Sequence, residues 1–233
     1  MKKILTLLAV CAMLCSCNTD WGALETVNYP INGSYTSLVI GDAFQVTVSE
    51  SATEAMVTIG EKAHQYVRVE VTDGTLYLSL TGWNFSSMDY ANVVIPANAD
   101  LNCVKISGAS SYKGNMSAEE VKVIVSGASQ YEGTITADEA EMAISGAGKV
   151  VVDGSCDHMD ISVSGASKLD AAAFPCVEIE GQISGASNVD VTCCERLAVN
   201  VSGASTLTYG TPSSECNPQV ECESTGGSTI KKR

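Results

Sequence analysis

A four-residue corner, Ser-Gly-Ala-Ser or a close variant, returns seven times along this chain. The copies begin at Ser107, Ser126, Ser145, Ser164, Ser184, Ser202 and Thr225, at intervals of 19, 19, 19, 20, 18 and 23 residues. A fixed turn recurring at a nearly constant short period marks a solenoid, a stack of small units that share one core.

Counted from the first corner residue, the preceding positions alternate. Position −1 reads Ile106, Val125, Ile144, Val163, Ile183 and Val201. Position −3 reads Val104, Val123, Met142, Ile161, Gly181 and Val199, and position −5 reads Asn102, Val121, Ala140, Met159, Ile179 and Leu197. Position −4 between them is mostly charged, with Lys122, Glu141, Asp160 and Glu180. A period of two, apolar inward and mostly polar outward, describes a half-buried strand and excludes a helix. A second strand follows each corner and points Tyr112, Tyr131, Val150, Leu169, Val189 and Leu207 inward at position +5. Gly at +1 permits a backbone turn that a Cβ would resist, and Ala at +2 is expected to sit inside the corner.

Nineteen residues at roughly 3.3 Å each give a contour of about 63 Å per coil, enough for a narrow side-chain core without a pore. Coils about 4.8 Å apart, joined by parallel strand bonds, would stack to roughly 34 Å. A lone coil has nothing to bury its apolar residues against, so the stack must supply the stability. The expected fold is therefore all-β: a parallel β-helix of ~19-residue coils with an irregular N-terminal β cap. A low aromatic content of 6% suits a core of aliphatic columns.

Four regions are expected: residues 1–16 as a lipoprotein signal peptide, 17–33 as a tether, 34–96 as the cap, and 97–233 as regular coils ending in a degraded one. Lys2 and Lys3 precede an apolar run from Ile4 to Leu14 that is too short to span a bilayer. The run ends in Leu14-Cys15-Ser16-Cys17, which resembles a bacterial lipobox and marks Cys17 for lipidation. Several acyl chains on one residue would hold the protein to a membrane, and the implied address is the cell envelope as an outer-membrane lipoprotein. Removing residues 1–16 takes away two lysines and no acids, moving the formal charge from −14 to −16. Such a surface argues against nucleic acid as a partner. The basic ending Lys231-Lys232-Arg233 reads as a solvated terminus.

In the cap region, Leu38 to Ile40 and Phe44 to Val48 read as strands around Gly41-Asp42, and Asp73-Gly74 signals a hairpin between Val67–Val71 and Leu76–Leu80. Trp83 to Tyr90 reads as a loop, and Val93 to Ile95 as a lead into the first regular coil. The region is expected to form either irregular opening coils or a small antiparallel sheet that closes one end, because an open end would expose strand edges. At the far end Val220 and Cys222 keep the inward positions, while Glu223 and Ser224 interrupt the pattern.

Phe44-Gln45-Val46-Thr47-Val48-Ser49, Thr75-Leu76-Tyr77-Leu78-Ser79-Leu80 and the repeated strand–corner unit together resemble the auto-transporter adhesin head, or GIN, domain. The resemblance covers nearly all of the mature chain and implies a β-helical fold with a surface role. It offers no catalytic residues to carry over.

Chemistry-bearing residues are few. Cys156, Cys176 and Cys194 share position −8, continuing a column begun by Ala99, Ala118 and Ala137. They are expected to stack as interior filler. A disulfide between neighbouring coils is the alternative, since a rung of about 4.8 Å falls inside the permitted Cα range, and Cys193 and Cys216 lie close by. No Cys-x-x-Cys pair occurs, so no metal site is expected. Glu141, Asp160 and Glu180 form an outward acidic stripe, expected to be solvated and without a partnering Arg or Lys. The corner serines are expected to bond between coils or to the turn backbone.

No catalytic or cofactor-binding residue is identified, and no cofactor is expected. The function expected is a lipid-anchored envelope protein with a rigid, non-enzymatic head for adhesion, binding or spacing. The membrane is its partner through the lipid on Cys17, and a glycan or protein ligand is open. The alternatives are a β-helix enzyme acting on polysaccharide through the acidic stripe, and a purely structural envelope component.

Overall fold

A computed structural model describes residues 20–82 and 91–233; Cys17 and the expected loop from Trp83 to Tyr90 lie outside the described residues. The fold is the parallel β-helix that the corner spacing predicts. Gln130–Ile144 pairs in parallel with Lys149–Val163, that strand with Lys168–Ile183, and that one with Asn188–Val201. Nineteen strands among the described residues belong to one continuous sheet.

The corners lie in file. Each corner glycine has a left-handed φ between +69° and +80°. The amide after it donates to the glycine carbonyl one coil below: Ala128 to Gly108 at 2.9 Å, Ala147 to Gly127 at 2.8 Å, and Ala166 to Gly146 at 2.7 Å. The first corner residue repeats the pattern, as with Ser145 to Val125 at 2.9 Å. Turns that usually leave backbone groups to water are here part of the ladder, which satisfies them coil by coil.

The inward columns are as expected. Positions −1 and +5 are buried in every coil from Ile106 to Leu207, and −3 is buried except at Gly181. The corner itself differs from expectation. Ala109, Ala128, Ala147, Ala166, Ala186 and Ala204 are exposed, whereas Ser110, Ser129, Ser167, Ser187 and Ser205 at +3 are buried. The left-handed glycine reverses the chain, so the residue that re-enters the core is the next but one. Ser167 and Ser187 satisfy their hydroxyls by donating to Ser164 O at 2.6 Å and Ser184 O at 2.9 Å. Ser126 and Ser202 reach Ile106 O and Ile183 O, each at 3.4 Å.

The cap combines both expected forms. Ser37–Ile40 and Gln45–Ser49 form a coil whose corner, Gly41-Asp42-Ala43, extends the file below Gly108. Beyond it lies a coil made of later sequence: Thr75–Leu80 pairs with Ser37–Ile40, and Asn92–Pro96 with Gln45–Ser49. Val93 to Ile95 thus lies in the cap, and residues 97–102 carry the chain from it past the Ser37–Ser49 coil to Cys103–Ile106 of the first regular coil. Antiparallel strands finish this end. Val67–Thr72 pairs with Thr75–Leu80 through the Asp73-Gly74 hairpin, and Ala55–Gly60 pairs with Asn92–Pro96. Leu24–Tyr29, read from sequence as tether, is the last strand of this layer, paired with Ala55–Gly60. Trp21 packs edge-on to Tyr66, with ring centroids 6.2 Å apart.

The opposite end is less closed. Val220 is 41% exposed, and among the described residues its strand pairs only with Asn188–Val201. The basic ending is exposed as expected, but Arg233 is held there: its guanidinium lies by Gly210, pairs with Asp190 and bonds to Thr192.

Candidate functional site

The long strands before each corner present two outward columns of side chains. One carries Lys122, Glu141, Asp160 and Glu180 on successive coils, and its neighbour carries Glu120, Glu139, His158, Glu178 and Arg196. Parallel in-register pairing places equivalent residues about 4.8 Å apart, so like charges must be neighbours unless the sequence alternates them. The two columns line a shallow groove of about 550 Å³ floored by Val121, Ala140 and Met159.

The stripe is partnered, contrary to the sequence expectation. Lys122 pairs with Glu141, and Arg196 bridges Glu180 at 3.6 Å and Glu221 at 3.2 Å. His158 faces Glu178 at 3.7 Å. Arg196 occupies the adjacent column, which is why inspecting one column missed it. Asp160 lies between two carboxylates, with Glu141 on one side and Glu180 on the other. Desolvation, then Glu180 and Glu141, push its pKa above the ordinary carboxylate value against the pull of Lys122.

A group whose folded pKa is raised opposes folding when ionised. That penalty is present above the folded pKa and disappears as pH falls through it. Asp160→Asn is thus expected to raise stability at neutral pH by about 0.5 kcal/mol or less, because the site is exposed. The gain should vanish in acid when thermal unfolding is followed against pH. Destabilisation at neutral pH, or a gain that ignores pH, would contradict this placement of charge.

A second, wider groove of about 1150 Å³ runs where residues 96–101 pass beside Lys113, Glu132 and Asp153. Beneath it Tyr112 and Tyr131 stack with centroids 5.7 Å apart, and burial raises both phenol pKa values. Tyr131 donates to Gly114 O at 3.3 Å. Lys113 pairs with Glu132 at 2.6 Å on its surface.

The cysteine column is built differently from the expectation. Cys156 and Cys176 are in register and buried, but the third member is Cys193, paired with Cys176 in the next coil. Cys194 turns outward and forms a disulfide with Cys216, with Cα atoms 4.7 Å apart. Counted back from the corner, Arg196 and Leu197 stay in register with Glu178 and Ile179, but the pairing shifts between Cys176 and Glu178. Two residues separate Cys193 from Arg196 where one separates Cys176 from Glu178, and that extra residue puts Cys193 in the column instead of Cys194. Among the described residues, no three Cys, His, Asp or Glu side chains converge as a metal site would require.

The sequence profile of the family described as "Putative auto-transporter adhesin, head GIN domain" matches residues 34–212. Several solved structures share the fold. A "putative adhesin" from Bacteroides fragilis aligns with a TM-score of 0.75 at 18% identity, covering 91% of this chain and 97% of its own. A "putative lipid binding protein" from Parabacteroides distasonis aligns with a TM-score of 0.68 at 17% identity, covering 91% and 97%. A "putative adhesin" from Parabacteroides merdae gives 0.66 at 20% identity, with the same coverage. At such identities the likeness shows the fold alone. No curated protein matches the chain.

Proposed function

The chain belongs to the family of auto-transporter adhesin head GIN domains, and from that premise we propose that it is a non-enzymatic binding module of the cell envelope, held to a membrane by lipid on Cys17. One observation carries the reading: the corners bond directly to one another, coil after coil. Such a stack is a stiff body whose interior is filled by side chains, leaving its outer faces for recognition. The charged groove along the long strands is the face offered, and its acidic balance favours a partner with cationic or hydroxyl-rich groups over nucleic acid.

Two experiments test this. Purified head is screened against immobilised glycans and host-matrix proteins, beside a variant carrying Glu139→Lys and Asp160→Lys. Saturable binding that the variant loses supports the reading, and silence across both arrays favours a structural role. For the anchor, Cys17→Ala is expected to abolish labelling by a radioactive fatty acid and to release the protein from the membrane fraction. Labelling that persists would overturn the assignment of Cys17. Protease shaving of intact cells then distinguishes a surface position from a periplasmic one.

A further inference from the structure

We propose that Cys156 and Cys176 form a second disulfide that staples two neighbouring coils from within the core. Their sulfurs lie 2.9 Å apart, closer than two unbonded sulfurs ordinarily approach yet well outside a bond of about 2.05 Å. The residues face each other across one parallel rung. That spacing, about 4.8 Å, sits inside the Cα window of roughly 4.4 to 6.8 Å that a disulfide needs. The chain already closes one such link at this spacing: Cys194 and Cys216 are bonded with Cα atoms 4.7 Å apart.

The geometry also selects the pair. Cys193 is the third thiol of the column, but its hydrogen is directed to Arg196 O at 3.0 Å and Val177 O at 3.4 Å. Cys176 instead has the Cys156 sulfur at 2.9 Å, with Phe174 O farther off at 3.5 Å.

The reaction requires an external disulfide as oxidant, from glutathione or from a thiol oxidoreductase. The thiolate of one cysteine attacks a sulfur of that disulfide and expels a thiolate. The second cysteine then attacks the mixed disulfide and expels the other. The two protons lost by Cys156 and Cys176 end on the two thiols released, and the two electrons reduce the oxidant. Both residues are buried, at 5% and 2% exposure, so attack takes place while the coils are apart.

The full chain is equilibrated with excess oxidised glutathione in enough urea to open the coils reversibly. It is then returned to buffer, alkylated, and digested without reduction for mass spectrometry. The expected product is a linked peptide pair containing Cys156 and Cys176, two hydrogens lighter than the separate peptides. The link should survive Cys193→Ser, and Cys156→Ser should leave Cys176 alkylated. Separate alkylation of Cys156 and Cys176 in the wild-type digest, or a link from Cys176 to Cys193, would overturn the proposal.

Discussion

Replacing Gly127 by alanine is expected to cost the fold about 2 to 5 kcal/mol, whereas the same change at Gly74 is expected to cost only about 1 to 2. The two glycines have nearly the same backbone, with φ of +69° and +70°. The penalty for a left-handed alanine, roughly 1–2 kcal/mol, is therefore common to both. They differ in surroundings. A Cβ on Gly127 would stand 2.5 Å from Gly108 O in the coil below, while one on Gly74 meets nothing within 4 Å. The atom it would strike is backbone that accepts the Ala128 amide, so the stack cannot yield without breaking its own ladder. Overpacking of this kind adds about 1–3 kcal/mol. Urea unfolding of both variants against wild type measures the difference. Equal losses would mean that the corners do not press on one another.

Phe174→Ala is the second large effect, expected at about 3 to 5 kcal/mol. This side chain is fully buried, in a strand otherwise filled by small and aliphatic residues. It enters where the coil from Ser164 to Ser184 is one residue longer than its predecessor, and where the pairing with Lys149–Val163 slips between Val151 and Asp153. The ring is buried directly after this extra residue. Truncation leaves a cavity that hydrogen-bonded strands above and below cannot close. Phe174→Leu should cost less, because most of the volume is kept. A midpoint shift with unchanged denaturant slope is the expected readout. A loss below about 1 kcal/mol would show that the ring is not a core element.

These two sites show where sequence reading succeeds and where it stops. The corner period identified the β-helix because Gly at +1 and the apolar columns before it answer to one local geometry, repeated. Whether Ala109 or Ser110 turned inward was not legible, since a period of two does not continue through a left-handed residue. Counting back from Ser202 points to Cys194, but an extra residue between the column and Arg196 has no visible position until pairing with Lys168–Ile183 locates it. The cap was harder. Leu24–Tyr29 becomes a strand only by meeting Ala55–Gly60, a contact between distant residues that leaves no periodic trace. The residues of the acidic column are legible one by one, but not that Lys122 within it pairs with Glu141, nor that Arg196 reaches Glu180 from one column over. Neighbours across coils, unlike neighbours along a strand, appear only once the register is known.

The central claim, that the exposed corner residues rise in a straight file one rung per coil, is tested most directly by electron spin distances. Nitroxides attached through an unnatural ketone residue at Ala128 and Ala204 span four coils, and at Ala109 and Gly227 six. Narrow distributions near 19 and 29 Å are expected, in proportion to the coils crossed at about 4.8 Å each. Two distances that are equal, or that do not grow with the number of coils between the labels, would contradict the stacked file and the surface built on it.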